Sequence, residues 1–427
     1  MIYFYKLLSL ILYPLLILLI VLRKVFNKED KFRYLEKIFF SSFSVDRDKK
    51  KKLIWIHAAS IGEVQSIFPL IEKFNNEKKN LEFLITTVTL SSGKLVEKYF
   101  DKYSNVKHRY FPLDVIFLVN KFLDSWDPNL IIFIDSEIWP NFLLQSKKRG
   151  KALLLVNARI TLKTFKKWML IKRTSKKIFE SFDHCFASSS ESEKLLKKLG
   201  AKKVDYYGNL KFCDDIDIKK IENKSKNVLL NKNFWCAASI HKDEEGFCIE
   251  AHLNLKNKIS NLLTIIAPRQ LYRSKNIKSY CDKKGLQAQI LNNDNTIDFS
   301  KEVVILNFHG ELSKFFKFAK SVFIGKSMVK KLKYDGGQNP ITAAKMSCNI
   351  YHGPFVSNFR EIYDYFQESL LCKQIKDVEE LSVMLEKDFK LPEKNFLKAN
   401  SNLDLIGKEI LNKTFLKIDQ IMSNENN

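Results

Sequence analysis

Glu63 is the first residue whose type and position could do chemistry. It stands in a stretch that begins as an apolar run at Ile54 and passes through small residues to Gly62. A strand that turns directly into a helix would place this carboxylate at the helix amino terminus, available as a general base for a substrate hydroxyl. Glutamate in a first helical turn is also favoured by the helix macrodipole alone, so a purely structural role stays open.

A second acidic group, Asp135 and Glu137, comes straight after the apolar run Leu130–Ile134. Carboxylates at the end of a buried strand are unfavourable unless they are paired or functional. Pro140 fits the first turn of a following helix, which Ser136 or Glu137 would cap. Capping and catalysis are equally compatible with this segment.

Three segments in the second half of the chain suit the binding of an anion. Arg269 follows Ala267 and Pro268 at a predicted strand end, where a guanidinium can pair with two oxygens of a phosphate or carboxylate. Gly310 precedes one predicted helix, and Gly336–Pro340 opens another, so that backbone N–H groups could approach a phosphate. Each segment alone is also an ordinary turn, but their joint placement predicts a nucleotide site.

The elements that must position these residues alternate between short apolar runs and amphipathic stretches, which is typical of parallel sheets covered by helices on both faces. In the first half the predicted strands are Leu53–Ala58, Leu81–Thr87, Leu130–Ile134, Ala152–Val156, His184–Ala187 and Val204–Tyr207. In the second half they are Phe234–Ala238, Leu262–Ala267, Val303–Leu306, Ser321–Ile324 and Asn349–His352. The predicted fold class is α/β, with two Rossmann-like doubly wound domains that bind ligand at the carboxyl ends of their strands.

Length, charge and cysteine content narrow the class of protein. A chain of 427 residues predicts two domains. The net charge of +24 comes mostly from lysines spread over the whole length, so we expect anionic lipid surfaces and phosphorylated substrates as partners, and no nucleic acid. Seven scattered cysteines without a CxxC pair predict buried free thiols in a reducing compartment, with no disulfide framework and no zinc site. We also expect no cofactor.

The amino terminus predicts a membrane anchor. Residues Ile2–Leu22 carry a single charge, Lys6, and as one helix they would span about 30 Å, the hydrocarbon thickness of a bilayer. Basic residues such as Arg23 and Lys24 follow, which predicts a single-pass anchor with the body of the protein on the cytoplasmic face. A signal peptide and a helix lying in the membrane surface are the alternatives.

The ordered motifs add up to a family. The chain resembles the 3-deoxy-D-manno-oct-2-ulosonic acid (Kdo) transferases of lipopolysaccharide biosynthesis, which have the GT-B fold. The motifs that carry this resemblance cover nearly the whole chain: His57–Glu63, Thr86–Thr87, Asp135–Pro140, Val156–Arg159, Gly208–Phe212, Ala267–Arg269, Gly310–Leu312, Gly336–Pro340, Gly353–Pro354 and Asn358–Glu361.

The resemblance implies a domain plan and a reaction. A membrane anchor over residues 1–24 and an acceptor domain over 25–212 are followed by a linker over 213–232, a CMP-sugar-binding domain facing the first across a cleft over 233–400, and a helical tail over 401–427. Such enzymes take Kdo from CMP-Kdo and attach it to a hydroxyl of the lipid A precursor, lipid IVA. The anomeric centre is inverted, and no metal is bound.

The resemblance also implies roles for individual residues. Glu63 is expected to deprotonate the acceptor hydroxyl, and Glu137 and Lys211 to stabilise the transition state. A cation at Lys211 would offset charge on the donor carboxylate and the departing phosphate. The residues expected to hold CMP are Pro268, Arg269, His309, Gly310, Glu311, Asn339, Pro340, Ile341 and Thr342.

The chain departs from the family pattern at Gln270, Lys326, Gln338 and Thr342. The family carries a carboxylate at the position of Thr342, and such a group would accept hydrogen bonds from ribose hydroxyls more strongly than a threonine does. Two other interpretations stay open. One is a GT-B transferase of another CMP-linked acidic sugar, and the other is a non-catalytic membrane-bound homologue.

Overall fold

Each half of the chain is built on one parallel sheet of seven strands. The computed structural model describes residues 1–39, 47–214, 216–392 and 401–424. The chain divides into two units, the first comprising Met1–Asp214 with Leu405–Asn427 and the second comprising Asp215–Asp404. The predicted α/β class with two parallel-sheet domains is confirmed.

In the first unit the strand order is β3-β2-β1-β4-β5-β6-β7, and every neighbouring pair is parallel. The strands are β1 Lys52–His57, β2 Leu81–Thr87, β3 Val106–Tyr110, β4 Leu130–Ile134, β5 Ala152–Ala158, β6 His184–Ala187 and β7 Val204–Tyr206. The helices are α1 Ile2–Ile11, α2 Tyr13–Val25, α3 Ile61–Glu77, α4 Leu90–Phe100, α5 Ile116–Trp126, α6 Pro140–Lys148, α7 Leu162–Met169, α8 Lys172–Phe179 and α9 Ser190–Leu199.

The central strands of this sheet are apolar along their whole length because helices cover both faces. Every residue of β4 and β5 is buried. On one face Trp55 packs against Phe122, Phe133 and Phe142, with ring centroids 4.9, 5.7 and 5.3 Å away. This aromatic cluster fixes the helices that follow β3 and β4, and thereby the loops at the carboxyl edge of the sheet.

In the second unit the strand order is β10-β11-β9-β8-β12-β13-β14, again with parallel pairs throughout. The strands are β8 Asn233–Ile240, β9 Leu262–Pro268, β10 Ala288–Leu291, β11 Val303–Leu306, β12 Ser321–Ile324, β13 Asn349–His352 and β14 Cys372–Gln374. The helices are α10 Lys226–Leu230, α11 Glu245–Lys256, α12 Ser274–Lys283, α13 Ser313–Phe316, α14 Ile341–Lys345, α15 Arg360–Glu368 and α16 Val378–Lys390. The last helix of the chain is α17 Ser401–Asn424.

Three strands were missed by the sequence analysis, namely β3, β10 and β14, and all three lie at the edge of a sheet. An edge strand needs only one paired side and one covered face, so its sequence is short and polar. Val106–Tyr110, for example, has charged or polar residues at its three central positions. Such a segment lacks the apolar run by which the central strands were found.

The amino-terminal segment is not the single helix predicted from the sequence. It forms α1 and α2, which are bent by 54° with respect to each other. Pro14 lies in the first turn of α2, where its missing N–H is tolerated but where it interrupts the preceding helix. Within the described residues no single helix is long and apolar enough to span a bilayer, although the bent pair passes that test of length and composition when taken together.

The last helix, α17, packs against the first unit. Gly407 approaches so closely that a Cβ added there would lie 2.1 Å from the carbonyl oxygen of Phe212. Further along, Phe415 packs against Phe74 of α3 with ring centroids 4.6 Å apart. The seven cysteines are free and buried, as predicted.

Candidate active site

The first sheet reverses its strand order between β1 and β4. Helices that follow these two strands cover opposite faces of the sheet, so a crevice opens at the carboxyl ends of the strands, where doubly wound folds bind their ligands. β1 ends at His57 and β4 ends at Ile134. Glu63 and Glu137 therefore both lie at this crevice, one after each strand.

Glu63 is held in a capping arrangement at the start of α3. Its carboxylate accepts a hydrogen bond from the backbone N–H of Ala59 at 2.8 Å and one from the Ser60 hydroxyl at 2.7 Å. Ser60 is the N-cap of α3, and its side chain accepts from the backbone N–H of Glu63. The structural role left open by the sequence is thus present, and it fixes the orientation of the carboxylate.

The electrostatic environment of Glu63 adds a second property. Burial, with the carboxylates of Asp135 and Glu137 nearby, raises the pKa of Glu63 from 4.5 to about 7, against the opposing hydrogen bonds from Ser60 and Ala59. A capping glutamate in solvent would have a pKa near or below its ordinary value because the helix dipole stabilises its charge. A carboxyl group that titrates close to neutral pH is instead suited to accept a proton during a reaction.

Glu137 is held by a chain of hydrogen bonds that runs into the core. Its Oε2 accepts from the indole Nε1–H of Trp139 at 2.8 Å and lies 3.3 Å from Nε2 of the buried His57. Nδ1 of that histidine lies 3.0 Å from the hydroxyl of Thr86, which accepts in turn from Nε1–H of Trp55 at 2.9 Å. Every member is satisfied if the histidine carries its proton on Nε2 and accepts from the threonine.

The hydrogen bonds from His57 and Trp139 keep Glu137 ionised. Burial alone would raise its pKa, but the hydrogen bonds from His57 and Trp139 outweigh it, so the pKa of Glu137 lies below the ordinary value. The pKa values of the two glutamates are therefore shifted in opposite directions, so Glu63 titrates near neutrality and Glu137 remains a carboxylate. Environments that separate two acids in this way are typical of a division of roles between a proton acceptor and a fixed charge.

Asp135 occupies a strained position beside these two residues. Its φ is +58°, in the left-handed region that residues other than glycine adopt rarely. Arg159 compensates in two ways, since its backbone N–H donates to the carbonyl of Asp135 at 3.1 Å and its Nε lies 3.3 Å from the carboxylate. Arg159 was not singled out by the sequence analysis, although it belongs to the motif Val156–Arg159.

Lys211, the third predicted catalytic residue, lies on a short 3-10 helix, Leu210–Cys213, that packs against α3. The backbone N–H of Leu210 donates to the side-chain carbonyl of Asn157 at 3.0 Å, and that of Lys211 donates to the side chain of Asn209, also at 3.0 Å. Glu63, Glu137 and Lys211 are thus all held on elements at one edge of the first unit.

In the second unit the structure brings Arg269 and His309 together. Arg269 follows β9 and His309 follows β11, and these two strands are direct neighbours. Burial, and then the positive charge of Arg269, lowers the pKa of His309. Pro268 is the buried last residue of β9, while Gly310 and Glu311 continue the loop, with Glu311 paired to Lys314 at 2.9 Å.

The remaining predicted nucleotide residues, Asn339–Thr342, belong to a different part of the same sheet edge. They follow β12, which is separated from β9 by β8. The side-chain oxygen of Asn339 accepts the backbone N–H of Ile341 at 3.0 Å, and Pro340 precedes the first turn of α14. Gly336 is required by packing, because a Cβ there would lie 2.3 Å from the carbonyl oxygen of Phe355.

Glu244 organises the loop after β12, and the sequence analysis missed it. This fully buried carboxylate accepts backbone N–H groups of three consecutive residues, at 2.6 Å from Lys326, 2.8 Å from Ser327 and 2.9 Å from Met328. A fourth N–H, that of His241, donates to it at 2.9 Å. The available signal was its position just after β8, at the switch point of the second sheet between β8 and β12.

Two parallel-sheet α/β units, each with polar groups at its switch point, define the class of fold to which the chain belongs. The fold is similar to that of the UDP-GlcNAc 2-epimerase of Neisseria meningitidis, with a TM-score of 0.55 at 12% identity over 86% of this chain and 100% of that one. At such low identity the likeness shows the fold alone.

The sequence relatives are more specific. The family described as 3-deoxy-D-manno-octulosonic-acid transferase (kdotransferase) matches residues 33–214. The 3-deoxy-D-manno-octulosonic acid transferase of Rickettsia bellii is 32% identical over 384 residues, which cover 90% of this chain and 89% of the relative. That of Haemophilus influenzae is 28% identical and covers 84% of each chain. The chain belongs to the Kdo transferase family, and it is a glycosyltransferase.

Replacing Glu244 by glutamine tests the role of the buried carboxylate. We expect Glu244→Gln to lower the free energy of unfolding of the second unit by about 2 to 4 kcal/mol, because an amide nitrogen cannot accept the N–H groups of the loop. The measurement is a urea unfolding curve.

The matched control is Glu250→Gln on α11, the helix that follows Glu244, where the carboxylate pairs with the surface residue Lys284 at 2.9 Å and accepts from the Tyr280 hydroxyl at 3.3 Å. Surface ion pairs of this kind contribute at most about 1 kcal/mol. Equal unfolding midpoints for the two variants would contradict an organising role for Glu244.

Proposed function

We propose that this protein transfers Kdo from CMP-Kdo to a hydroxyl of the lipid A precursor lipid IVA, with inversion at the anomeric carbon and without a bound metal. Membership of the Kdo transferase family supports Kdo as the sugar that is transferred. The observation that carries the mechanism is the pairing of Glu63, whose pKa is raised to about 7, with the ionised Glu137 at one crevice.

In the proposed step, the carboxylate of Glu63 takes the proton from the acceptor hydroxyl as the oxygen attacks the anomeric carbon of Kdo. The new bond forms on the face opposite the leaving group, which accounts for the inversion. The bond between the anomeric carbon and the phosphate oxygen breaks, and its electron pair leaves on CMP. Glu63 then holds the proton until solvent accepts it.

The charges that develop in this step are matched by two fixed groups. The transition state of glycosyl transfer carries positive charge at the anomeric carbon. The carboxylate of Glu137, kept ionised by His57 and Trp139, would stabilise that charge. The ammonium group of Lys211 would offset negative charge on the donor carboxylate and on the phosphate as it leaves.

The second unit would hold the nucleotide. Arg269 and His309 follow the neighbouring strands β9 and β11, and the charge of Arg269 lowers the pKa of His309, so the two side chains would bind one phosphate together. The exposed Gly310 would let backbone N–H groups of its loop approach the same phosphate. Asn339–Thr342 would contact the ribose. The GT-B arrangement predicted from the sequence, with the two domains facing a cleft, would bring the donor to Glu63.

We place this reaction at the cytoplasmic face of the inner membrane. The acceptor is a glycolipid, and the amino-terminal segment is rich in exposed apolar residues. The basic residues after it are typical of the cytoplasmic side of a membrane.

The direct test is to incubate purified protein with CMP-Kdo and lipid IVA and to read the product masses. We expect mass additions of Kdo, and we expect Glu63→Gln to lower kcat by about 100- to 10,000-fold because the general base is lost. The control is Glu72→Gln on the same helix, which should retain activity.

Two outcomes would count against the proposal in different ways. Transfer from another CMP-linked acidic sugar, but not from CMP-Kdo, would change the donor. Normal activity of Glu63→Gln would reduce Glu63 to a helix cap and remove the mechanism.

The pH dependence of the wild-type enzyme forms a further prediction. The reaction needs the Glu63 carboxylate, so kcat/KM should rise with pH up to about 7 and level off above it. The free energy of unfolding should fall over the same pH range in which kcat/KM rises. Because the folded-state pKa is raised, the contribution of this group to stability is complete below pH 4.5 and is lost as the pH rises through about 7.

The measurements are a pH–rate profile and the free energy of unfolding between pH 5 and 8, which is roughly the span over which this group titrates. In Glu63→Gln this part of the pH dependence of stability should be absent. A wild-type rate inflection close to 4.5, the ordinary pKa of the group, would contradict the assignment.

A further inference from the structure

The helix pair at the amino terminus is bonded to the first unit along one side. The hydroxyl of Tyr5 donates to the buried carboxylate of Asp114 at 2.8 Å, and the side-chain amide of Asn141 donates to the hydroxyl of Ser9 at 3.4 Å. Tyr13 donates its hydroxyl to a backbone carbonyl of the same unit. Tyr5, Ser9 and Tyr13 are spaced four residues apart and form one stripe along the segment.

The carboxyl end of the pair is bonded to the first unit as well. Arg23 near the end of α2 pairs with the buried Glu29 at 2.6 Å, and Lys37 pairs with the same carboxylate. Lys37 also donates to the carbonyl of Val88 at 2.7 Å. A segment held to one unit at both ends does not place its ends on opposite sides of a bilayer, and α2 alone is only about 20 Å long.

The other side of the pair is apolar and exposed. Tyr3 is 85% exposed and Ile11 is 64% exposed, although both are large apolar side chains. A continuous apolar surface of this kind is typical of a helix that lies in the membrane interface. Its members are Tyr3, Phe4, Leu7, Ile11, Leu15, Leu18, Leu19 and Leu22.

A second element of the first unit, the hairpin α7–α8, is strongly basic. It has no acidic residue between Leu162 and Phe179. At the turn between its helices Leu170 is 86% exposed. Its cations are all exposed, namely Lys163, Lys166, Lys167, Lys172, Arg173, Lys176 and Lys177.

A cleft of about 420 Å³ joins the two elements. Met1 and Lys6 of the amino-terminal segment line one side of it, and Arg173 and Lys177 of α8 line the other, with Lys148 from α6 between them. In the part of the chain that the structure describes, none of these four lysine and arginine side chains is paired with a carboxylate. The cleft therefore concentrates uncompensated positive charge beside the exposed apolar helices.

We propose that α1–α2 and α7–α8 form one docking face for an anionic phospholipid bilayer, with the helix pair lying in one leaflet and the cleft receiving a lipid phosphate. The apolar helices would contact acyl chains, while Lys6, Lys148, Arg173 and Lys177 would meet the headgroups. RNA or an acidic protein would satisfy the cations but would leave the apolar side of α1–α2 in water. This docking face rests on the reaction proposed above at the membrane, and it specifies which surface of the first unit contacts the bilayer.

Vesicle flotation of the full-length protein tests the cleft, using phosphatidylcholine with and without phosphatidylglycerol. The double variant Arg173→Gln/Lys177→Gln should bind the anionic vesicles about 25-fold more weakly, at about fivefold per cation. The control Lys275→Gln/Lys283→Gln removes the same charge from exposed positions of α12 and should bind like the wild type. Equal losses for both double variants, or RNA binding without vesicle binding, would overturn the proposal.

The orientation of α1 is tested separately. A protease-sensitive tag at the amino terminus should be protected in intact spheroplasts and cleaved after permeabilisation, because a helix lying in the cytoplasmic leaflet keeps Met1 inside. Cleavage in intact spheroplasts would show a spanning anchor and overturn the in-plane arrangement. Neither experiment uses donor or acceptor, so its failure is distinguishable from a failure of Kdo transfer.

Discussion

The mutual proximity of three carboxylates at the first switch point is the constraint on which the site depends. Glu63, Asp135 and Glu137 follow two neighbouring strands whose ends the parallel sheet brings together. Three negative charges in a partly buried crevice are unfavourable, and the structure relieves this in three different ways. Asp135 faces Arg159, Glu137 accepts from His57 and Trp139, and Glu63 has its pKa raised to about 7. The chemistry proposed for Glu63 is a direct consequence of that distribution.

The two sheets use their switch points differently. In the first, burial and the neighbouring carboxylates raise the pKa of Glu63 to about 7. In the second, Glu244 is fully buried and accepts hydrogen bonds from four backbone N–H groups, so it shapes a loop. The groups proposed to bind the nucleotide phosphate, Arg269 and His309, follow β9 and β11 instead. This division fits a reaction in which one half of the enzyme handles a proton and the other holds a nucleotide.

Sequence reasoning was most successful where burial dictates composition. The central strands and the positions of Glu63 and Glu137 were predicted because buried parallel strands are apolar runs whose ends are marked by small and acidic residues. It failed at the edge strands β3, β10 and β14, whose polarity reflects their single paired side. The prediction of one continuous helix at the amino terminus was wrong, because hydropathy takes no account of the helix break at Pro14 or of the hydrogen bond between Tyr5 and Asp114. The buried Glu244 was missed, and no role was predicted for His57, because the roles of both depend on partners far along the chain.

The central claim is that the crevice raises the pKa of Glu63, and a direct titration tests it. The 13C chemical shift of the Glu63 carboxyl group, identified by its absence in Glu63→Gln, should titrate at about 7 in the folded protein. In Asp135→Asn the midpoint should fall, because the negative charge of Asp135, which raises the pKa of Glu63, is removed. A midpoint near 4.5 in the unmodified protein would show that Glu63 is an ordinary helix-capping residue and would contradict the account.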